Sequence, residues 1–389
     1  MNQRNYIDSP LLFAVLTLMF LSLGVVYSAS ASWALAKYGE SERMLISHAL
    51  KVFLGILVLF IGMRIDYQKI HHLTKLALMG AVILLGITLV LGGEAKGATR
   101  WLRYSSIGFQ PSEFAKYALL FHLCSLAAVK GDHLRDFKRG FMPMVVWILV
   151  VTGLVMLQPN FSMAMMIFLL GIVILFVSRA KISHLLLIFA VMIPVLLLYM
   201  LSAEYRRQRI MTFLSGGPST TATRGNYQVL QGIIGFGNGG IFGVGPGESK
   251  QRDLFLPESF GDFVFSIVGE EYGFIGTIFV VSLFVFIMFR GFKIARYAED
   301  VFGRYLAIAI TSAITLYALV NACVTLGLLP TTGLPMPFVS YGGSSMVFSA
   351  FAVGILLNIS SQTDLHPRAR EIPVVGTVNA DGPTPGKVY

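Results

Sequence analysis

Two carboxylates, Glu258 and Asp262, stand four residues apart in the stretch LPESFGDFVF, residues 256–265, immediately before a long apolar run. Four residues is one helical turn, so a helix starting near Pro257 would carry both acids on one face. An ionisable group at the mouth of an apolar segment is costly to keep there without a use. Within hydrogen-bond reach of a hydroxyl, such a carboxylate can act as a general base. A second constellation lies in FQPSEFAKYALL, residues 109–120, where Glu113 and Lys116 are three apart. They can meet on one helix face, with Pro111 suited to the first helical turn. The pair either satisfies itself between packed helices or lines a pocket for a charged headgroup. Glu270 and Glu271 follow Asp262 by eight and nine residues, which is about 12–14 Å along a helix. That separation sets them outside Asp262's immediate site and favours a bundle-facing polar role for at least one of them.

Other chemistry is thin. The seven histidines include the pair His71-His72, and neither H-E-x-x-H nor Cys/His ligand spacing occurs, so no metal site is expected. No G-x-S-x-G elbow is present. GFGNGG, residues 235–240, has the form of a dinucleotide fingerprint but lacks the preceding strand and surrounding βαβ unit. Its glycines suit tight turns and close helix approach instead.

Composition says what kind of elements must position these residues. The chain has 389 residues, 55% hydrophobic and 13% charged, where a soluble chain carries about 25% charged residues. Mean hydropathy is +0.73. Apolar runs of about 20 residues recur, each long enough to cross a bilayer. Ten spans are expected, at 11–31, 45–63, 76–92, 113–129, 141–157, 161–178, 184–202, 263–289, 304–328 and 344–359. Helices are the default because backbone groups in hydrocarbon must satisfy one another. A barrel would need short alternating strands, and these runs are continuously apolar. The expected class is an all-α polytopic membrane protein with about ten transmembrane helices.

Net charge is +10. Its distribution is topological. Arg64, Lys69, Lys75, Lys130, Arg135, Lys138, Arg139, Arg179, Lys181, Arg290, Lys293, Arg296 and Arg304 fall in alternate loops, and the other loops are poorer in bases. The positive-inside rule then places both termini in the cytoplasm, and no nucleic-acid partner is implied. Residues 92–112 and the larger 203–262, between helices 7 and 8, become outer segments. The second interleaves apolar residues with glycines and suits a segment lying at the membrane interface against protein. SASASWA, residues 28–34, has an A-x-A-like pattern, yet the preceding run is longer than a usual signal h-region, so a retained anchor is expected. Cys124 and Cys323 both lie in expected spans, which argues against a disulfide framework. Residues 1–360 form the expected membrane domain, and 361–389, with Pro367, Pro373, Pro383 and Pro385, read as a disordered cytoplasmic tail.

Three blocks carry a family resemblance: GATRWLRYSSIGFQPSEFAK (97–116), GNYQVLQGIIGFGNGGIFGVGPGESKQRDLFLPESFGDFVFSIVGEEYGFIG (225–276) and GLLPTTGLPMPFVSYGGSS (327–345). In order and wording they resemble the SEDS family (shape, elongation, division and sporulation), its division branch more than its elongation branch. The resemblance implies a ten-helix fold in the bacterial cytoplasmic membrane and a peptidoglycan glycosyltransferase acting on lipid II at the extracytoplasmic face. By it, Asp262 matches the family's essential aspartate and would be the catalytic base. Arg100, Trp101, Glu113, Lys116, Lys250 and Glu258 match positions in its motif blocks and would bind substrate. Undecaprenyl pyrophosphate would be the leaving group, with a divalent cation as one possible counter-charge and no other cofactor implied. A class B penicillin-binding protein transpeptidase and other membrane proteins of the division machinery would be partners. The chain departs from the family at Phe260-Gly261, where His-Thr is usual, and at Pro159-Asn160, where Pro-Asp is usual. Two other classes compete: a lipid II flippase or transporter, and a non-catalytic division scaffold. No internal repeat favours the transporter.

Overall fold

Each of the ten expected spans falls on a helix in the computed structural model, which describes residues 6–95, 98–104, 107–202, 207, 211, 224–257 and 259–366. The span helices are α1 (Ser9–Tyr38), α2 (Arg43–Arg64), α3 (Tyr67–Leu91), α4 (Pro111–Lys130), α5 (Met142–Leu157), α6 (Phe161–Val177) and α7 (Ile182–Leu201). After a further helix α8 (Arg224–Gly239) come α9 (Val264–Tyr297), α10 (Val301–Thr325) and α11 (Gly343–Ser360). Among the described residues, eight helices are long and apolar enough to cross a membrane. The chain is an all-α polytopic membrane protein. Glu258 and residues 367–389 lie outside the described residues.

The two spans that miss this apolar standard do so for different reasons. Helix α6 is apolar but only 17 residues long. Helix α4 is long enough, yet it carries Glu113, Lys116 and His122, all buried. It tolerates them because protein rather than lipid surrounds it: α3, α10, α6, α11 and α5 all pack on it. Helix α7 is the opposite case. Leu186, Leu187, Val191, Leu197 and Leu198 are exposed, and its C-terminal end is tied in by Tyr199, whose hydroxyl donates to Met156 O at 3.0 Å.

Lipid tails are as apolar as leucine, so helices in a bilayer associate through close packing and polar contacts. Helices α2 and α11 meet at Gly62 and Gly354, where a Cβ on Gly62 would come within 2.8 Å of Phe351 O. Helix α1 packs between α2 and α9, and it runs unbroken through 28–34 with Ser28, Ala29, Ser30 and Ala34 buried. The A-x-A-like stretch is thus a working part of the bundle. Asp8 caps α1 by accepting from Leu11 N–H at 3.0 Å, and Gly39 ends it in the left-handed region at φ 76°.

The described residues of 92–112 are more than a plain connection. They form a small antiparallel sheet in the order β1 (Gly93–Ala95), β2 (Ala98–Tyr104) and β3 (Ile107–Phe109), the one addition among the described residues to an otherwise helical chain. Gly93 stands opposite Trp101, and Leu102 opposite Phe109. This sheet, the start of α9 and the loop between α10 and α11 share one end of the bundle.

Candidate active site

Over the described residues, the helix expected to start near Pro257 does not form. Residues 259–263 make turns and α9 begins only at Val264. The cause is non-local. Phe260 O accepts from Tyr341 N–H at 2.9 Å, and Asp262 O accepts from the Asn321 side chain at 2.7 Å. Both carbonyls are therefore committed to α10 and the loop after it, and cannot point along a helix. Pro257 O likewise accepts from Gln228 of α8 at 3.0 Å, and Ser259 donates to Ala29 O of α1 at 2.8 Å. Leu256, Phe263 and Ile267 pack on Ala29 and Val324 beneath. The segment is pinned on four sides.

Asp262 is half-buried. One of its carboxylate oxygens lies 3.6 Å from where a Cβ on Gly333 would stand. Gly333 adopts φ 71°, a left-handed conformation that favours glycine. The carboxylate therefore faces the backbone of the 331–341 loop, with glycine leaving space beside it. Phe260, where the resemblance led histidine to be expected, is an aromatic ring against Trp33 (centroids 5.2 Å) and edge-on to Tyr341 (5.7 Å).

Glu113 and Lys116 are brought together as their spacing requires, at 2.7 Å and both nearly fully buried. The ammonium also lies over the rings of Tyr317 (4.1 Å) and Tyr117 (4.6 Å). Tyr117 donates onward to Ser349 at 3.1 Å. The pair thus joins α4 to α10 and α11, the self-satisfied arrangement among the two that the spacing allows. Gln110 N–H donates to Ser344 Oγ at 3.0 Å and fixes the start of α4 against α11.

The remaining candidates are dispersed. Arg100 reaches the α5–α6 turn, donating to Gln158 O at 3.4 Å and to Pro159 O. It thereby meets the Pro159-Asn160 turn, where the resemblance led Pro-Asp to be expected. Trp101 is half-buried on β2 with its ring 3.3 Å from a Cβ position on Gly108. Lys250 is exposed. Glu258 lies outside the described residues.

Glu270 and Glu271 are both buried and bind loop 238–252 to α9. Glu270 accepts from Asn238 at 3.2 Å, from Gln251 N–H at 3.2 Å and from Ser249. Glu271 accepts from Ser28 of α1, to which Arg252 also donates at 3.4 Å. Two residues later Gly273 breaks the helix at φ 63°, ψ −159°. The freed groups are met by the loop: Val244 and Gly245 N–H donate to Glu270 and Glu271 O at 3.0 and 3.1 Å, and Phe274 N–H donates to Gly240 O at 2.9 Å. Within GFGNGG, Gly235 and Gly239 lie where α8 crosses α9, and a Cβ on Gly239 would collide with Gly269 O. Close helix approach is indeed their use.

Asn321 and Lys51 lie outside the three motif blocks, and Tyr341 lies inside the third without a role assigned to it. Yet Asn321 and Tyr341 bond Asp262's segment, and Lys51 sits on the Tyr341 ring. The signal for Lys51 was a lysine inside the apolar run 45–63.

The geometry has known counterparts. A family model for FtsW, RodA and SpoVE, described as "Cell cycle protein", matches residues 9–365. A probable peptidoglycan glycosyltransferase FtsW of Geobacter metallireducens is 36% identical over 357 residues, 91% of this chain and 95% of that protein. Stage V sporulation protein E of Bacillus subtilis is 34% identical over 354 residues, 90% of this chain and 96% of that one. A chain from a peptidoglycan synthase complex solved for its coordination of polymerization and crosslinking superposes with a TM-score of 0.76 at 25% identity, covering 91% of this chain and 97% of that one. The rod shape determining protein RodA of Thermus thermophilus superposes with a TM-score of 0.67 at 24% identity, covering 92% and 98%. That second likeness bears on the fold.

Proposed function

The chain belongs to the FtsW/RodA/SpoVE family, and on that premise we propose that it is the peptidoglycan glycosyltransferase of a division-type synthase, polymerising lipid II at the outer face of the bacterial cytoplasmic membrane. The observation that carries the reading is the setting of Asp262. A half-buried carboxylate stands at the head of a membrane helix, its backbone pinned by Asn321 and its side chain facing the glycine of a neighbouring loop. A carboxylate held in this way is suited to draw a proton from a sugar hydroxyl that comes within hydrogen-bond reach.

In the proposed step, Asp262 takes the proton of the 4-hydroxyl of an incoming GlcNAc. The oxygen attacks the anomeric carbon of the growing chain, and the bond to undecaprenyl pyrophosphate breaks with its electron pair on the diphosphate. One inverting displacement turns the α-linked donor into a β-1,4 bond, so a second, nucleophilic carboxylate is not required. The leaving diphosphate needs positive charge. A cation could supply part of it, though the described residues hold no cluster of metal ligands. Arg100, Trp101, Glu113, Lys116, Lys250 and Glu258 remain the proposed substrate-binding set. For Glu113 and Lys116 that role would act through the shape of the bundle, since each already has the other as partner.

The positive-inside asymmetry supports cytoplasmic termini, which puts the Asp262 end outside. The transporter reading draws on broken helices that line a midplane site. Here the break at Gly273 is filled by the chain's own 240–245 loop, which favours the enzyme. A class B penicillin-binding protein transpeptidase is the proposed partner, by likeness to the synthase complex. The test gives lipid II to the purified protein with its cognate transpeptidase and scores glycan chains. Asp262→Asn should abolish polymer while leaving partner binding intact. Undiminished polymer would overturn the assignment, and lipid II translocation without polymer would establish the transporter.

A further inference from the structure

Ionisable groups within membrane helices seek partners, and two of the bases inside the described spans have carboxylates. Lys116 has Glu113 at 2.7 Å. Arg290 has Asp8 at 2.6 Å. Lys51, the ninth residue of α2, has no hydrogen bond or ion pair among the described residues; its ammonium lies 3.4 Å from the ring centroid of Tyr341. Lys116 shows what such a cradle looks like when complete, with aromatic faces below and a carboxylate above. Lys51 has the aromatic face and lacks the anion.

The platform under Lys51 is built rather than incidental. Tyr341 N–H donates to Phe260 O at 2.9 Å, and its hydroxyl meets Ser47 Oγ at 3.0 Å, one turn before Lys51 on α2. The rings of His48 and Phe260 each lie 5.7 Å from it. Gly343 lies against the lysine's stem, its Cβ position 3.6 Å from Lys51 Cε, an ordinary packing distance. Phe260 is two residues before Asp262, and Asp262's carboxylate faces Gly333 of the loop that carries Tyr341. The lysine on α2 and the base in the turn before α9 therefore border one loop.

We propose that Lys51 is the cation that receives the diphosphate of the lipid-linked donor, presented by Tyr341 beside the Asp262 base. This rests on the polymerase reading above. The donor rather than the acceptor is assigned by chemistry. The hydroxyl that gives its proton to Asp262 attacks the very carbon that bears the donor's diphosphate, whereas the acceptor's own diphosphate lies a full disaccharide away. As the carbon–oxygen bond breaks, negative charge gathers on the departing diphosphate, and an ammonium without a competing carboxylate is free to accept it. A cation lodged on an aromatic face keeps its N–H donors available to a ligand on the other side.

The test uses the purified full-length protein with its transpeptidase, in three variants: Lys51→Gln, Lys51→Met and Lys51→Arg. Binding of undecaprenyl pyrophosphate is compared with that of undecaprenyl monophosphate, and polymerisation is measured with a lipid-linked tetrasaccharide donor varied against fixed lipid II. Loss of a charge-assisted bond should weaken undecaprenyl pyrophosphate by about 10–100-fold in the Gln and Met variants. Lys51→Arg should restore most of the affinity, and the donor KM should rise more than the acceptor KM. Undecaprenyl pyrophosphate bound equally by wild type and Lys51→Gln overturns the proposal, as does a rise confined to the acceptor. Should the Gln variant elute as aggregate, the Met variant carries the same comparison. Wild-type protein that binds undecaprenyl pyrophosphate through Lys51 but makes no polymer would sink the polymerase reading instead.

Discussion

The side-chain amide of Asn321 donates to two backbone carbonyls at once, Asp262 O at 2.7 Å and Leu334 O at 2.8 Å. One residue of α10 thereby fixes the head of α9 and the loop that faces its carboxylate. Asn321→Leu keeps the size and removes both donors. It should cost roughly 1–3 kcal/mol of stability, the penalty for buried groups left unpaired. Polymerisation should fall further than stability does, since a displacement of about 1 Å at a catalytic group can cost 10²-fold. Lipid II polymerisation measured beside a thermal melt checks both. Full activity in the mutant would show that Asp262 is positioned without Asn321.

The Glu113–Lys116 pair allows structure to be separated from substrate binding. Removing one partner leaves a buried charge uncompensated, so Glu113→Leu or Lys116→Met alone should destabilise by about 3–5 kcal/mol. The double variant removes both charges and should recover much of that loss. Melting of the three proteins in detergent reads it directly. If the double variant is stable but makes no polymer, the pair also serves substrate, and the two roles are resolved.

What the sequence displayed, and what it hid, divides along the range of the interactions involved. Span positions were legible because a bilayer demands apolar length, and eight of the described helices meet that demand within their own residues. Glu113 and Lys116 were legible because helical neighbours lie three apart. The turn at 259–263 was not, because its carbonyls are taken by Asn321 and by Tyr341, 59 residues and more than 80 residues onward in the chain. The platform under Lys51 was hidden for the same reason. Helix α4 shows a subtler limit: its polarity reports that protein surrounds it, which hydropathy alone cannot distinguish from a weak span. The small sheet at 93–109 was missed because two of its strands are only three residues long, too short for alternation to register.

The break in α9 should be intolerant of even a methyl group. Gly273 holds φ 63° and Gly243 φ 84°. A Cβ on either would collide with the other's strand of backbone, at Ile241 O (2.6 Å) for Gly273 and at Glu271 O for Gly243. Strain of roughly 1–3 kcal/mol from backbone alone adds to that collision. Gly273→Ala and Gly243→Ala should therefore both lower the melting temperature and loosen residues 240–252. Limited proteolysis of that loop, compared with Gly237→Ala, where a Cβ meets nothing within 4 Å, is the check. Equal cleavage in all three would mean the break is not held by this contact.

At the opposite end, Asp8 is fully buried and accepts a forked pair from Arg290, Nε at 3.1 Å to each oxygen and Nη2 at 2.6 Å to one. It caps α1 with the same carboxylate, and its own N–H donates to Ser360 Oγ at 3.0 Å. His366 closes the cluster, its Nε2 3.1 Å from Arg290 Nη2, while Tyr6 N–H donates to His366 O at 3.0 Å. Three helix ends, those of α1, α9 and α11, are thus tied through one acid. Arg290→Met would strand that acid in a buried site and should destabilise by about 3–5 kcal/mol. Arg290→Lys, a point charge without the planar fork, should recover only part of it. Because the pair is buried, raising salt should change the wild-type melt little. Polymerisation at a temperature well below the melt should stay near wild type in both variants, as the cluster lies a full membrane span from Asp262. A selective loss of activity with an unchanged melt would instead make this cluster part of the catalytic cycle.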